Sequence, residues 1–76
     1  MKHTYRDKHG QAIQAGVTIR HDNGETELVY ATMDSYGNED LGVMATSKAY
    51  AERHPDCDIE YYSLANFNMS EWEIVQ

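Results

Sequence analysis

Reactive side chains are densest between His54 and Asp58, where His54, Asp56, Cys57 and Asp58 put an imidazole, two carboxylates and a thiol within five residues. Zinc sites use these ligand types at spacings of about two to four residues, and a structural site takes about four ligands. The other histidines, His3, His9 and His21, are unpaired in spacing and stand in or near polar turns, so none of them is placed to complete a site. The run reads as a polar helix end, with no metal and no cofactor. His54 and Cys57 are also the ingredients of a thiolate–imidazolium pair. Pro55 separates them, and Asp56 and Asp58 disfavour the thiolate by like-charge repulsion. There is no Gly-x-Ser-x-Gly elbow and no glycine-rich phosphate loop. The expectation is a protein that is not an enzyme.

Carboxylates form the second group. Glu71 and Glu73 alternate with Trp72 and Ile74, and Glu25 and Glu27 repeat the spacing. On a strand such pairs share a face about 7 Å apart, a geometry open to acid/base work. A solvated face that blunts a sheet edge is the simpler use. Tyr36, Tyr62, Glu71 and Glu73 are the candidate interaction surface. The tandem Tyr61-Tyr62 puts one ring on each face of a strand, one for the core and one to anchor a contact.

Charge separates the possible partners. The chain of 76 residues carries 13 Asp and Glu against 6 Lys and Arg, a net charge of −7. Residues 1–20 hold four basic residues, Lys2, Arg6, Lys8 and Arg20, and one acidic, a balance of +3; the rest balances at −10. The four cations are a candidate basic patch, which surface tyrosines would turn into a small nucleic-acid-binding barrel. Phosphate neutralisation dominates such binding, and an acidic body opposes it. An acidic surface is instead drawn to a basic protein partner. No run of apolar residues is long enough to span a membrane. The start of the chain lacks the apolar stretch of a secretory signal. One cysteine, Cys57, permits no internal disulfide. The expected location is the cytoplasm.

These groups need a scaffold, and the chain is short for one. Leu, Ile, Val and Phe number only 12, which with the net charge is a warning of disorder. Six Tyr, four Met and one Trp bring the bulky apolar load to 23, and proline occurs once. The expectation is one folded domain over residues 1–76, with a core rich in Tyr and Met and with residues 1–9 as a flexible arm. Val17, Ile19 and His21 alternate with Thr18 and Arg20, then Asp22-Asn23-Gly24 signals a type I′ hairpin returning through Glu25 to Met33. A third strand runs through Leu41, Val43 and Ala45. Thr46-Ser47 caps a short helix over residues 47–54, ended by Pro55. Strands near 59–64 and 71–75 flank a turn or 3₁₀ segment with Phe67 and Met69 inward.

About five short antiparallel strands and one short helix suit a mostly β fold, a small SH3-like or OB-like barrel, with an α+β roll as the alternative. Three stretches point the same way: Asp7-Lys8-His9-Gly10-Gln11-Ala12-Ile13, the Asp22-Asn23-Gly24 hairpin, and Glu60 to Leu64 with Trp72-Glu73-Ile74. In these the chain resembles small, mostly uncharacterised proteins carried by phages and integrative elements of Gram-positive gut bacteria. The resemblance implies a short SH3-like β-barrel and carries over no functional residue. An acidic, non-catalytic module acting by protein contact is the resulting expectation.

Overall fold

The computed structural model describes residues 2–45, 48–56 and 60–75. The alternating stretches fold as β1 (Thr18–His21), β2 (Thr26–Leu28), β3 (Tyr30–Met33), β4 (Glu39–Met44), β5 (Tyr61–Ser63) and β6 (Trp72–Ile74). The helix, α1 (Lys48–Arg53), ends directly before His54 and Pro55. Single 3₁₀ turns follow at Leu64–Asn66 and Met69–Glu71. The fold is therefore mostly β with one short helix. The strands form two antiparallel three-stranded sheets, ordered β2-β1-β6 and β3-β4-β5, and among the described residues no ladder closes them into a barrel.

Only Val29 separates β2 from β3, so the two sheets share one continuous strand. Its backbone alternates in direction. The Glu25 carbonyl accepts from His21 N–H and the Val29 N–H donates to Val17, both toward β1. Residues of the opposite parity, Tyr30 and Thr32, pair with β4 instead. One edge of this strand thus serves the first sheet and the other edge the second.

Between the sheets lie Ile13, Ile19, Val29, Leu41, Val43, Leu64 and Trp72, with Phe67 and Met69 packed against them as their pattern predicts. The buried core is aliphatic apart from Trp72, which corrects the expectation of a Tyr- and Met-rich one. Tyr36, Tyr50, Tyr61 and Tyr62 are exposed, because they sit in a turn, a short surface helix and an edge strand.

Three hairpin turns use one device. Residues 7–11, 21–25 and 34–38 each close with an N–H from the fourth residue to the carbonyl of the first, and with the N–H of the first to the carbonyl of the fifth. The fourth residue is Gly10, Gly24 or Gly37, each at positive φ where a side chain would be strained. Asn23 has no positive φ, so the Asp22-Asn23-Gly24 turn is a three-residue loop with a glycine bulge rather than type I′. The first side chain of each turn accepts from backbone inside it: Asp7 from His9 and Gln11, His21 from Asn23, Asp34 from Tyr36 and Asn38. Its second polar atom then reaches a distant element, as Asp7 does to the Ile74 N–H at 3.1 Å.

That contact ties residues 2–13, the segment containing the expected arm, into the fold. Lys8 N–H donates to the Trp72 carbonyl at 2.8 Å, and Ile13 N–H to that of Tyr5 at 2.9 Å. At its start, His3 N–H donates to the Glu39 carbonyl of β4 at 2.9 Å. The segment is a ribbon lying on one strand of each sheet. Burial by itself would raise the pKa of Asp7, but the N–H groups of Ile74, Gln11 and His9 outweigh it and hold the carboxyl below its ordinary value. Replacing Asp7 by Ala orphans three donors and should cost about 3 kcal/mol in urea unfolding. Asp7→Asn keeps a turn acceptor but turns an amide N–H toward Ile74, and should cost less, about 1–2 kcal/mol.

Candidate functional site

The groove with the richest chemistry, about 750 Å³, lies on the second sheet. Its walls are the β3–β4 turn with Met33 and Asp34, the β5 strand with Tyr61 and Tyr62, and the ribbon at His3 and Tyr5. Asp40 lies in its floor. Alternation along β4 turns Leu41 and Val43 to one face and Asp40 and Gly42 to the other. Asp40 is nevertheless buried, at 7% exposure. Its Oδ1 accepts from the Tyr5 hydroxyl at 2.6 Å and from Leu41 N–H at 2.8 Å; its Oδ2 accepts from the Ser63 hydroxyl at 2.7 Å. Burial alone would raise its pKa, but the donors from Tyr5, Ser63 and Leu41 outweigh it and the carboxyl titrates below its usual range. Burial, then the hydrogen bond to Asp40, raises the Tyr5 phenol. One carboxylate thus joins the ribbon, β4 and β5 beneath the groove.

Gly42 makes β5 fit. A side chain there would place its Cβ 2.8 Å from the Tyr62 carbonyl oxygen, so only glycine lets the two strands approach this closely. The rings of Tyr30 and Tyr61 lie 5.6 Å apart on the same sheet. Asp34 accepts from His3 Nε2 at 2.8 Å, and this bond, then the Asn38 N–H, drives its pKa well below the usual carboxylate range.

Tyr36, at 89% exposure, stands in the 34–38 turn, and Tyr62, at 56%, on the groove wall. Tyr61 is exposed as well, so neither ring of the tandem enters the core, which corrects the expectation that one would. An edge strand of three residues at the margin of a small core has nothing to cover its outer ring. Glu71 and Glu73 lie on the other sheet. Glu71 holds His21 at 2.7 Å and Glu73 holds Arg20 and His9. Because His21 Nδ1 accepts from the Asn23 N–H, its Nε2 carries the proton donated to Glu71.

The four cations do not form one patch. Lys8 and Arg20 meet on the first sheet, but Lys8 pairs with Asp22 at 2.6 Å and Arg20 with Glu73. Arg6 donates to the Gly10 carbonyl within the ribbon, and Lys2 lies beside Glu39 on the second sheet. His54 stacks on Tyr50 at the end of α1, with ring centroids 4.3 Å apart. Cys57, Asp58, and the capping residues Thr46 and Ser47 lie outside the described residues. Among the described residues no group of three His, Cys, Asp or Glu has metal-ligand geometry, and no helix is long and apolar enough to cross a membrane.

Nothing in the sequence joins Tyr5, Asp40 and Ser63 to one another. Asp40 stands in a polar run that resembles any acidic loop, and its partners are 35 and 23 residues away. The one local signal is an aspartate immediately before the Leu41–Val43 alternation, where a strand has begun. Comparison with protein-family models, curated proteins and solved structures found no match to the chain.

Asp7, Asp34 and Asp40 all have folded pKa values below the ordinary aspartate value of 3.8. Their stabilisation is complete above that value and is lost as pH falls through the lower folded values. Urea unfolding should show stability declining below about pH 4, with a shallower decline in Asp40→Asn. Tyr5→Phe removes the donor but leaves the carboxylate buried, and should cost about 1–2 kcal/mol.

Proposed function

We propose that this chain is a non-catalytic, acidic interaction module of SH3-like build that holds a basic segment of a protein partner in the groove on its second sheet. The observation that carries this reading is the groove's lining. Asp34 and Glu60 contribute carboxylates at its surface and Asp40 one in its floor, Met33, Tyr61 and Tyr62 contribute exposed apolar and aromatic surface, and no Lys or Arg is among its described lining residues. Aromatic faces and carboxylates together attract lysine and arginine side chains, the faces through cation–π contact and the carboxylates through charge.

The cations of the chain support the same reading over nucleic-acid binding. Lys8 and Arg20 are already paired with carboxylates on the first sheet. Such a surface has little net charge to offer a phosphate backbone. The SH3-like assignment is supported by one strand shared between two sheets and by β6 returning to pair with β1. Cytoplasmic action and an origin among phages or integrative elements complete the proposal, resting on the single cysteine and on the layout resemblance.

An NMR titration with a lysine-rich peptide tests it. Shifts should centre on Met33, Tyr36, Tyr61 and Tyr62 and weaken as salt rises, and Tyr62→Ala should lower affinity about tenfold. A mixed-sequence oligonucleotide should leave the spectrum unchanged. Oligonucleotide shifts around Lys8 and Arg20, with none from the peptide, would reverse the assignment.

A further inference from the structure

We infer that the partner segment binds as an added β-strand along the outer edge of β5, its lysine or arginine side chains turned to the carboxylates of the groove. The inference rests on the groove reading above and specifies how the groove is used.

The register of β5 on β4 carries it. Gly42 pairs with Ser63, Val43 with Tyr62 and Met44 with Tyr61. Ala45 N–H donates to the Glu60 carbonyl at 2.9 Å, which makes Ala45 and Glu60 a hydrogen-bonded pair. In an antiparallel ladder bonded and non-bonded pairs alternate. The Ser63 carbonyl closes the 3₁₀ turn Leu64–Asn66 that it caps. The Tyr62 backbone is directed at Val43, while the N–H and C=O of Tyr61 and the N–H of Ser63 point away from β4. Among the described residues β5 has one neighbouring strand, so these groups form a template for another chain.

The ribbon covers outward backbone on β6 and at one end of β4. On β6, the outward Trp72 carbonyl accepts from Lys8 N–H and the outward Ile74 N–H donates to Asp7. On β4, the outward Glu39 carbonyl accepts from His3 N–H. The same ribbon lines the groove at His3 and Tyr5. Tyr61 and Tyr62 project to opposite faces of that edge and are both exposed, so an added strand would lie between two aromatic surfaces. The occupant is argued from charge. Glu60 adjoins β5 directly and Asp34 faces it across the groove, and among the described residues no lysine or arginine lines it to oppose a cationic chain.

Hydrogen exchange on the full chain tests this residue by residue, using a short synthetic peptide of alternating lysine and valine as the probe. Strand addition slows amide exchange at Tyr61 and Ser63 severalfold and leaves Tyr62, already bonded to Val43, unchanged. N-methylation of the peptide on one alternate set of amides abolishes binding, and on the other set is tolerated. Binding that shifts Tyr36 and Tyr62 without slowing Tyr61 and Ser63 overturns strand addition and leaves the groove reading standing. No binding at all overturns both. Protection of Tyr61 and Ser63 that rises with protein concentration in the absence of peptide assigns the edge to a second copy and overturns the inference.

Discussion

Two buried carboxylates on opposite sides of one ribbon hold this small protein together. Asp7 gathers the N–H groups of His9, Gln11 and Ile74, and Asp40 gathers donors from Tyr5, Leu41 and Ser63. Through the first, the ribbon is fastened to β6; through the second, to β4 and β5. The core between the sheets has only a few fully buried side chains, Ile19, Leu64 and Val29 foremost, each contributing about 1.5–3 kcal/mol. A core this small leaves little margin over the entropy of ordering the chain. The polar ties therefore weigh more than they would in a larger domain, and Ile13, carried in by the ribbon, belongs to the core itself.

The same ribbon decides where the molecule's charge is felt. In the sequence a balance of +3 precedes a balance of −10, as if a basic arm were free to meet a partner. In the fold, Lys8 meets Asp22, and His9 joins Arg20 on Glu73. Exposed pairs such as these add little stability. Their consequence is to remove positive charge from the surface of the first sheet. The second sheet keeps carboxylates beside exposed tyrosines, so the polarity of the sequence becomes a contrast between two faces.

Much of the scaffold was legible in the residues, and the failures have physical causes. Strand alternation placed Ile19, Val43 and Trp72 inside, and Pro55 ended the helix as its ring requires. Asp22-Asn23-Gly24 marked a hairpin, but a dipeptide does not set loop length. The His21 ring accepting from Asn23 N–H and the bulge at Gly24 select a three-residue loop. Tyr61 and Tyr62 alternate as a core strand would, but periodicity carries no information on whether a strand is central or at an edge. Of the candidate surface, Tyr62 lines the groove and Tyr36 stands in the turn beside it, while Glu71 and Glu73 fall with the other sheet. Asp40 stayed hidden because its role depends on Tyr5 and Ser63, which chain folding alone brings to it.

The ribbon is part of the folding unit rather than an arm. Native-state hydrogen exchange at the amides of His3, Lys8 and Ile13, compared with those of Ile19 and Val29, tests it most directly. The account predicts that ribbon and core amides exchange through the same opening, with equal free energies and equal dependence on denaturant. Ribbon amides exchanging near the unfolded rate while Ile19 and Val29 stay protected would contradict it.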